Sequence, residues 1–171
     1  MRDDRHIWPA LEDTTQEIKV GALKLQRTKL KRQTLISGSH IRKTIAGSLI
    51  GWPHVASGPT YNVGLRRDQI LVINGPEIPL GWDDEHNRAV SDMTDGYATF
   101  DLEGAGGMDV LRRGGEISES LASLSALRKL FGMNVIVYQC ETAGHYRLHI
   151  EVGLAHALQE ALTAQMNAVC A

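Results

Sequence analysis

MNVIVYQCETAGHYRLHIEVGLAHALQEALTAQ, residues 133–165, changes its hydrophobic period twice, and those changes decide the fold class. Met133 to Cys140 is apolar on both faces, the pattern of a strand covered on both sides. Residues 145–152 instead alternate, which predicts Tyr146, Leu148, Ile150 and Val152 pointing inward and His145, Arg147, His149 and Glu151 outward. The residues ETAG, 141–144, join the two strands as a hairpin. From about 153 to 167 the period lengthens to that of a helix. Leu154, Leu158 and Leu162 form one stripe, each contributing roughly 1.5–3 kcal/mol if fully buried against the sheet.

Upstream of this stretch, Ala89 to Thr94 and Tyr97 to Leu102 read as a hairpin turning at Asp95 and Gly96, with Ala98, Phe100 and Leu102 on one face. GAGGMDVLRRGGEIS, 104–118, and the apolar positions Leu121, Leu124, Leu127 and Phe131 predict one or two helices. The order after the opening strand is helix, strand, strand, helix. That is most of a ferredoxin-like split βαβ unit, within an α+β fold of antiparallel or mixed sheets and packed helices.

The earlier chain is less regular. Ile18 to Leu25 predicts a strand with a bulge near Gly21, and Gln33 to Ser37 a second strand. Ile41, Ile45 and Leu49 fall four apart and predict a short helix over 39–50. GWPHVASGPT, 51–60, is a loop by composition, and Tyr61 to Leu65 and Gln69 to Asn74 are strands. Residues 75–87 have no period and separate two expected pseudo-repeated halves, 17–75 and 88–171, within one α+β domain over 17–171. Residues 1–16 are polar and aperiodic, an arm that Trp8 and Pro9 would anchor.

The net charge of −2 gives no general attraction to nucleic acid or acidic membranes. Two cysteines, Cys140 and Cys170, make no metal or redox motif, and such low usage fits the cytoplasm. No apolar run reaches the ~20 residues of a membrane span, and the first residues lack the apolar region of a signal peptide.

Several motifs suggest sites, and each has a structural reading. Gly104, Gly106 and Gly107 follow a strand and precede a helix, but Asp109 stands where the dinucleotide fingerprint needs glycine, so a tight connection is expected. His145 and His149 would lie roughly 13 Å apart on a strand, too far to share a metal ion. His156 and Glu160 are one helical turn apart, a surface pair. Asp83, Asp84, Glu85 and His86 are consecutive and lack calcium or zinc spacing. Asp92, Asp95 and Asp101 are scattered over the expected hairpin, and turn chemistry accounts for Asp95. Cys140, inside an apolar strand, is expected to be inert. Lys24, Arg27, Lys29, Lys31 and Arg32, followed by Arg42 and Lys43, form a basic segment without interleaved aromatics, which favours a solvated surface or one facing an acidic partner. No catalytic, cofactor-binding or metal residue is assigned in this chain.

The ordered segments AVSDMTDGYATFDLEGAGGMDVLRRGGEIS (89–118), ALRKLFGMNVIVYQ (126–139) and YRLHIEVGLAHALQEAL (146–162) resemble the gamma subunit of heterotetrameric sarcosine oxidase. That family is related in fold to the folate-binding aminomethyltransferases of the glycine cleavage T protein type. The chain departs from the family at Leu65 to Ile70, where a Gly-Pro-Asp-Glu-Trp step is usual, and at Glu116 and Ile117, where Asp-Leu is common. The resemblance implies a non-catalytic subunit of a flavin-dependent sarcosine or secondary-amine oxidase or demethylase. Its partners would be larger alpha and beta subunits and a small delta subunit, with FAD, FMN, NAD and tetrahydrofolate held outside this chain. Two other expectations stand beside it: a free-standing folate-binding aminomethyltransferase-like protein, and an RNA-binding module using 24–43.

Overall fold

Period-two patterning dominates the chain, and the computed structural model, which describes residues 17–44, 47–120 and 122–171, turns it into two sheets with helices on their outer faces. Strands β1 (Glu17–Val20), β2 (Leu23–Thr28) and β3 (Gln33–Gly38) lead to a single helical turn, α1 (Ile41–Thr44). Next come β4 (Leu49–Ile50), β5 (Val55–Ala56), β6 (Tyr61–Arg66), β7 (Gln69–Ile73), β8 (Gly81–Asp83) and β9 (Arg88–Asp92). Strand β10 (Tyr97–Glu103) precedes α2 (Gly107–Gly114). The chain ends with β11 (Leu127–Leu130), β12 (Met133–Cys140), β13 (Thr142–Glu151) and α3 (Ala155–Cys170).

The first sheet has the order β1-β2-β10-β13-β12-β11, with β5 added in parallel to β12. The second has the order β4-β6-β7-β3-β9-β8. Alternation assigns each first-sheet strand two jobs. Leu25, Phe100, Leu148 and Val137 face Leu111, Leu158 and Leu162 of α2 and α3. Ile136, Tyr138 and Cys140 of β12 face the other way, onto Tyr61, Val63, Leu71 and Ile73 of the second sheet. A smaller cluster of Ile36, Ile41, Ile70 and Val72 closes the outer face of the second sheet. The order of layers is therefore helices, sheet, sheet, with α1 outermost. Trp52, 1% exposed, stacks on Tyr146 and donates from Nε1 to the Ser118 carbonyl at 2.8 Å.

The α+β class and its mostly antiparallel sheets agree with the expectation, but several elements differ. Gly21 is not a bulge: at φ +57° it turns the β1–β2 hairpin, and that turn causes the switch in phase. The helix expected over 39–50 is only α1, because Leu49 and Ile50 pair with Asn62 and Val63 as a parallel strand; Ile45 lies outside the described residues. The arm 1–16, with Trp8 and Pro9, also lies outside them. The hairpin expected from 89 to 102 does not form. β9 pairs with β3 in the second sheet and β10 with β2 and β13 in the first. Between them, Asp92 Oδ1 accepts from the Thr94 amide and hydroxyl, while Gly96 N and Tyr97 N donate to the Met93 carbonyl, so the turn passes the chain from one sheet to the other.

Residues 115–120 and 122–126 form no helix. They are held by bonds to the first half of the chain instead: Ala126 N donates to Gly64 O, Ser123 N to Trp52 O, and the Ser125 hydroxyl to Leu65 O. Leu124 is consequently exposed, Leu127 opens β11, and Leu121 lies outside the described residues. The split βαβ element is present in modified form: β10 and β12 run parallel with β13 between them, but the connection carries α2 and β11 rather than two helices. In the last helix the buried stripe is Ala155, Leu158, Leu162 and Met166, while Leu154 and Val152 sit in a preceding 3-10 turn and are exposed.

Candidate functional site

The polar positions of β10 and β13 do not face water. His145, Arg147 and His149 leave the helix-side core as alternation requires, but they meet the second sheet, and Arg147 and His149 are 8% and 0% exposed. Only Glu151 of the expected outer face is exposed. The reading of an outer polar face took the sheet to be covered on one side; here both sides are covered.

Arg147 is the anchor. Its Nε and Nη2 donate to the two Asp101 oxygens at 2.7 and 2.8 Å, a bidentate pair, and its Nη1 donates to Tyr61 Oη at 3.0 Å. Thr28 Oγ1 also donates to Asp101 Oδ2, at 2.6 Å. From Tyr61 the chain of contacts continues to Tyr138 Oη at 3.1 Å, to His149 Nε2 at 2.8 Å, and from His149 Nδ1 to Gln33 Oε1 at 2.7 Å. Its direction follows from the ends. Gln33 Nε2 donates to the Tyr97 and Thr94 carbonyls, so its Oε1 must accept and Nδ1 of His149 carries the proton. Nε2 then accepts from Tyr138, which accepts from Tyr61, which accepts from Arg147. Every proton in the line has one place.

Electrostatics fix the same assignment. Burial alone would raise the Asp101 carboxyl, but the hydrogen bonds and charge of Arg147, the nearby His145 imidazole and the Thr28 hydroxyl hold it well below the usual carboxylate range. Burial likewise opposes the Arg147 charge, and the Asp101 bonds overcome it and raise the pKa. Burial, reinforced by Arg147, pushes His149 down to about 3, so its imidazole is neutral. Burial pushes Tyr61 up to about 12, Tyr138 well above its ordinary value, and the Cys140 thiol up. His145 Nε2 lies 3.6 Å from Asp101 Oδ1 and 3.8 Å from Glu103 Oε1, and the Asp101 carboxylate raises its pKa. The phenols, the thiol and the buried imidazole are thus all held neutral, a set suited to cross-linking two sheets rather than to nucleophilic attack. A cleft of about 430 Å³ opens at the end of this layer, with Thr28, Gln33 and Thr99 in its lining.

The remaining candidates stay apart from this layer. Gly106 at φ +95° caps α2, and a Cβ on Gly104 would collide with the Ala22 carbonyl, so packing accounts for both. Asp109 pairs with Arg112 at 3.3 Å on the surface, and His156 with Glu160 at 3.4 Å. Asp83 binds His86 and Arg88, both at 2.9 Å, which closes the DDEH turn on itself. Asp92 serves the crossover, and Asp95 lines the cleft. In the basic segment Lys24 pairs with Glu17 at 3.0 Å and Arg32 with Glu77 at 3.3 Å. Arg42 donates to the Arg66 carbonyl. Among the described residues no group of three or more His, Cys, Asp or Glu is placed to hold a metal ion, and no helix is long and apolar enough to cross a membrane. Sequence reasoning missed the roles of Gln33, Tyr61, Asp101 and Arg147. The available signal was two opposite charges inside strands, Asp101 between Phe100 and Leu102 and Arg147 between Tyr146 and Leu148.

No protein-family model matches the chain, and no curated protein matches its sequence. Among solved structures it is similar to a chain of the heterotetrameric sarcosine oxidase from Corynebacterium sp. U-96, in complex with pyrrole 2-carboxylate. The TM-score is 0.65, with 15% identity over 91% of this chain and 89% of that one. The fold is shared with a sarcosine oxidase chain. Because the aligned shares are nearly equal, the two chains are close in length, and the likeness spans both almost end to end.

Proposed function

We propose that this chain is a non-catalytic, gamma-type subunit of a flavin-dependent amine oxidase or demethylase of the heterotetrameric sarcosine oxidase kind. The observation that carries this reading is the correspondence with a chain of such an enzyme over nearly the whole length of both. The buried layer supports it, since Asp101, Arg147 and His149 are committed to holding the two sheets together. On this reading the chain contributes architecture in the cytoplasm. Larger alpha and beta subunits and a small delta subunit hold FAD, FMN and NAD and receive tetrahydrofolate. The amine oxidised is sarcosine or another secondary amine.

Purification of the tagged chain from its native host is the test. It should bring down two larger chains and a yellow preparation with a flavin spectrum. A colourless chain recovered alone at native expression would overturn the proposal.

A further inference from the structure

The second sheet reaches beyond the first at its β8 edge. Trp82 pairs in register with Ala89, Ala89 with Ser37 and Ser37 with Gln69, so all four face the side on which Leu71, two positions after Gln69, packs into the inter-sheet core. Exposure along that face rises from 0% at Leu71 to 61% at Trp82, and Leu80, just ahead of the strand, is 64% exposed. Two large apolar side chains therefore stand in water where the first sheet no longer covers them. Aromatic and apolar side chains left out in this way are the material of protein interfaces. The β8 edge itself is only three residues long and follows Pro79, so side chains rather than an added strand would carry a contact here.

Charge decides what covers the overhang. Trp82 Nε1 donates to Asp84 Oδ1 at 2.8 Å, which holds a carboxylate at the edge of the indole ring. Asp83 is matched by His86 and Arg88, and Glu77 by Arg32. Asp84 and Glu85, both exposed, have no cation at ion-pair distance among the described residues. We infer that this surface docks a segment of another protein chain that presents a lysine or arginine beside an apolar side chain. The cation lies on the Trp82 indole with its charge toward Asp84 and Glu85, and the apolar group covers Leu80. A second copy meeting this patch across a two-fold axis would bring like carboxylates together, and the same carboxylates repel the phosphates of a nucleic acid. The site holds for any partner of that chemistry, oxidase or not.

Photocapture in the native host tests it. The full chain carries Leu80→p-benzoylphenylalanine, which leaves Trp82 and both carboxylates in place, with Glu160, exposed on α3, as the control position for the same substitution. Irradiation and mass spectrometry should recover, from position 80 and not from 160, a peptide of another chain with lysine or arginine beside an apolar residue. Asp84→Asn with Glu85→Gln keeps an acceptor for the indole and removes both charges; it should lower that capture about threefold or more without altering the circular dichroism of the chain. No adduct at position 80, the same adduct at both positions, an adduct with a second copy or with nucleic acid, a captured peptide without a cation, or capture unchanged in the charge-free variant would each overturn the proposal. A captured partner without flavin supports the docking site and counts against the subunit reading, whereas a yellow complex with no adduct at position 80 does the reverse.

Discussion

Replacing Arg147 by Met tests the buried layer where it is most exposed to refutation. Methionine fills much of the arginine stem's volume, so what is lost is the charge, the bidentate bonds to Asp101 and the bond to Tyr61. Asp101 is 7% exposed and would keep only Thr28 and the more distant His145 as partners. Stranding one member of a buried ion pair costs about 3–5 kcal/mol. For a chain of this size that corresponds to a fall of roughly 6–20 °C in Tm. Urea unfolding at neutral pH measures the loss, and repeating it in acid supplies a signature. Because the folded pKa of Asp101 is depressed in the wild type, the pair's contribution is present above the unfolded carboxylate pKa and is lost as pH falls toward the folded value. In the variant the stranded carboxyl protonates readily, so the deficit should narrow in the same acid range. A loss below about 1 kcal/mol, with no narrowing, is the behaviour of a solvated pair and would refute the argument.

Three further expectations follow from the same layer and its surroundings. His149, neutral in the fold with a pKa near 3, favours protonation only on unfolding, so it removes stability progressively as pH falls from about 6.5 toward 3; His149→Phe should flatten that part of the stability profile while lowering stability at neutral pH by about 1–3 kcal/mol, through the unmatched Tyr138 hydroxyl and Gln33 amide. Gly104→Ala should destabilise by at least about 1–3 kcal/mol, since φ is +109° and the new methyl meets the Ala22 carbonyl; a neutral substitution by chemical denaturation would show that the turn can move. A thiol reagent should modify exposed Cys170 in the native chain and buried Cys140 only after unfolding, and rapid labelling of both thiols would contradict the closed inter-sheet core.

The sequence carried the strands well and the helices unevenly. β12, β13, β6 and β7 were legible because apolar alternation bounded by turn residues is a local signal, and α3 because its stripe is long. Leu124 and Leu127 misled, since spacing of three suits a helix whether or not tertiary partners accept one; here residues 123–126 bond to Trp52, Gly64 and Leu65. The DG pair at 95–96 was equally deceptive. It does form a turn, but one that changes sheets, and no local feature tells the two outcomes apart. The polar layer stayed hidden for a related reason: whether Arg147 and His149 face solvent depends on a second sheet built from residues more than fifty positions away, Tyr61 among them.

The exchange of strands at 93–96 also bears on how the chain acquires its fold. β2 can pair early with β1, yet its other edge waits for β10; Thr28 and Asp101, which meet across that ladder, are 73 residues apart. β10 in turn waits for β13. As the nascent chain leaves the ribosome, the centre of the first sheet therefore has an open edge until almost the last strand is made. Distant closure of this kind slows folding and leaves edges available for mispairing until β13 is in place.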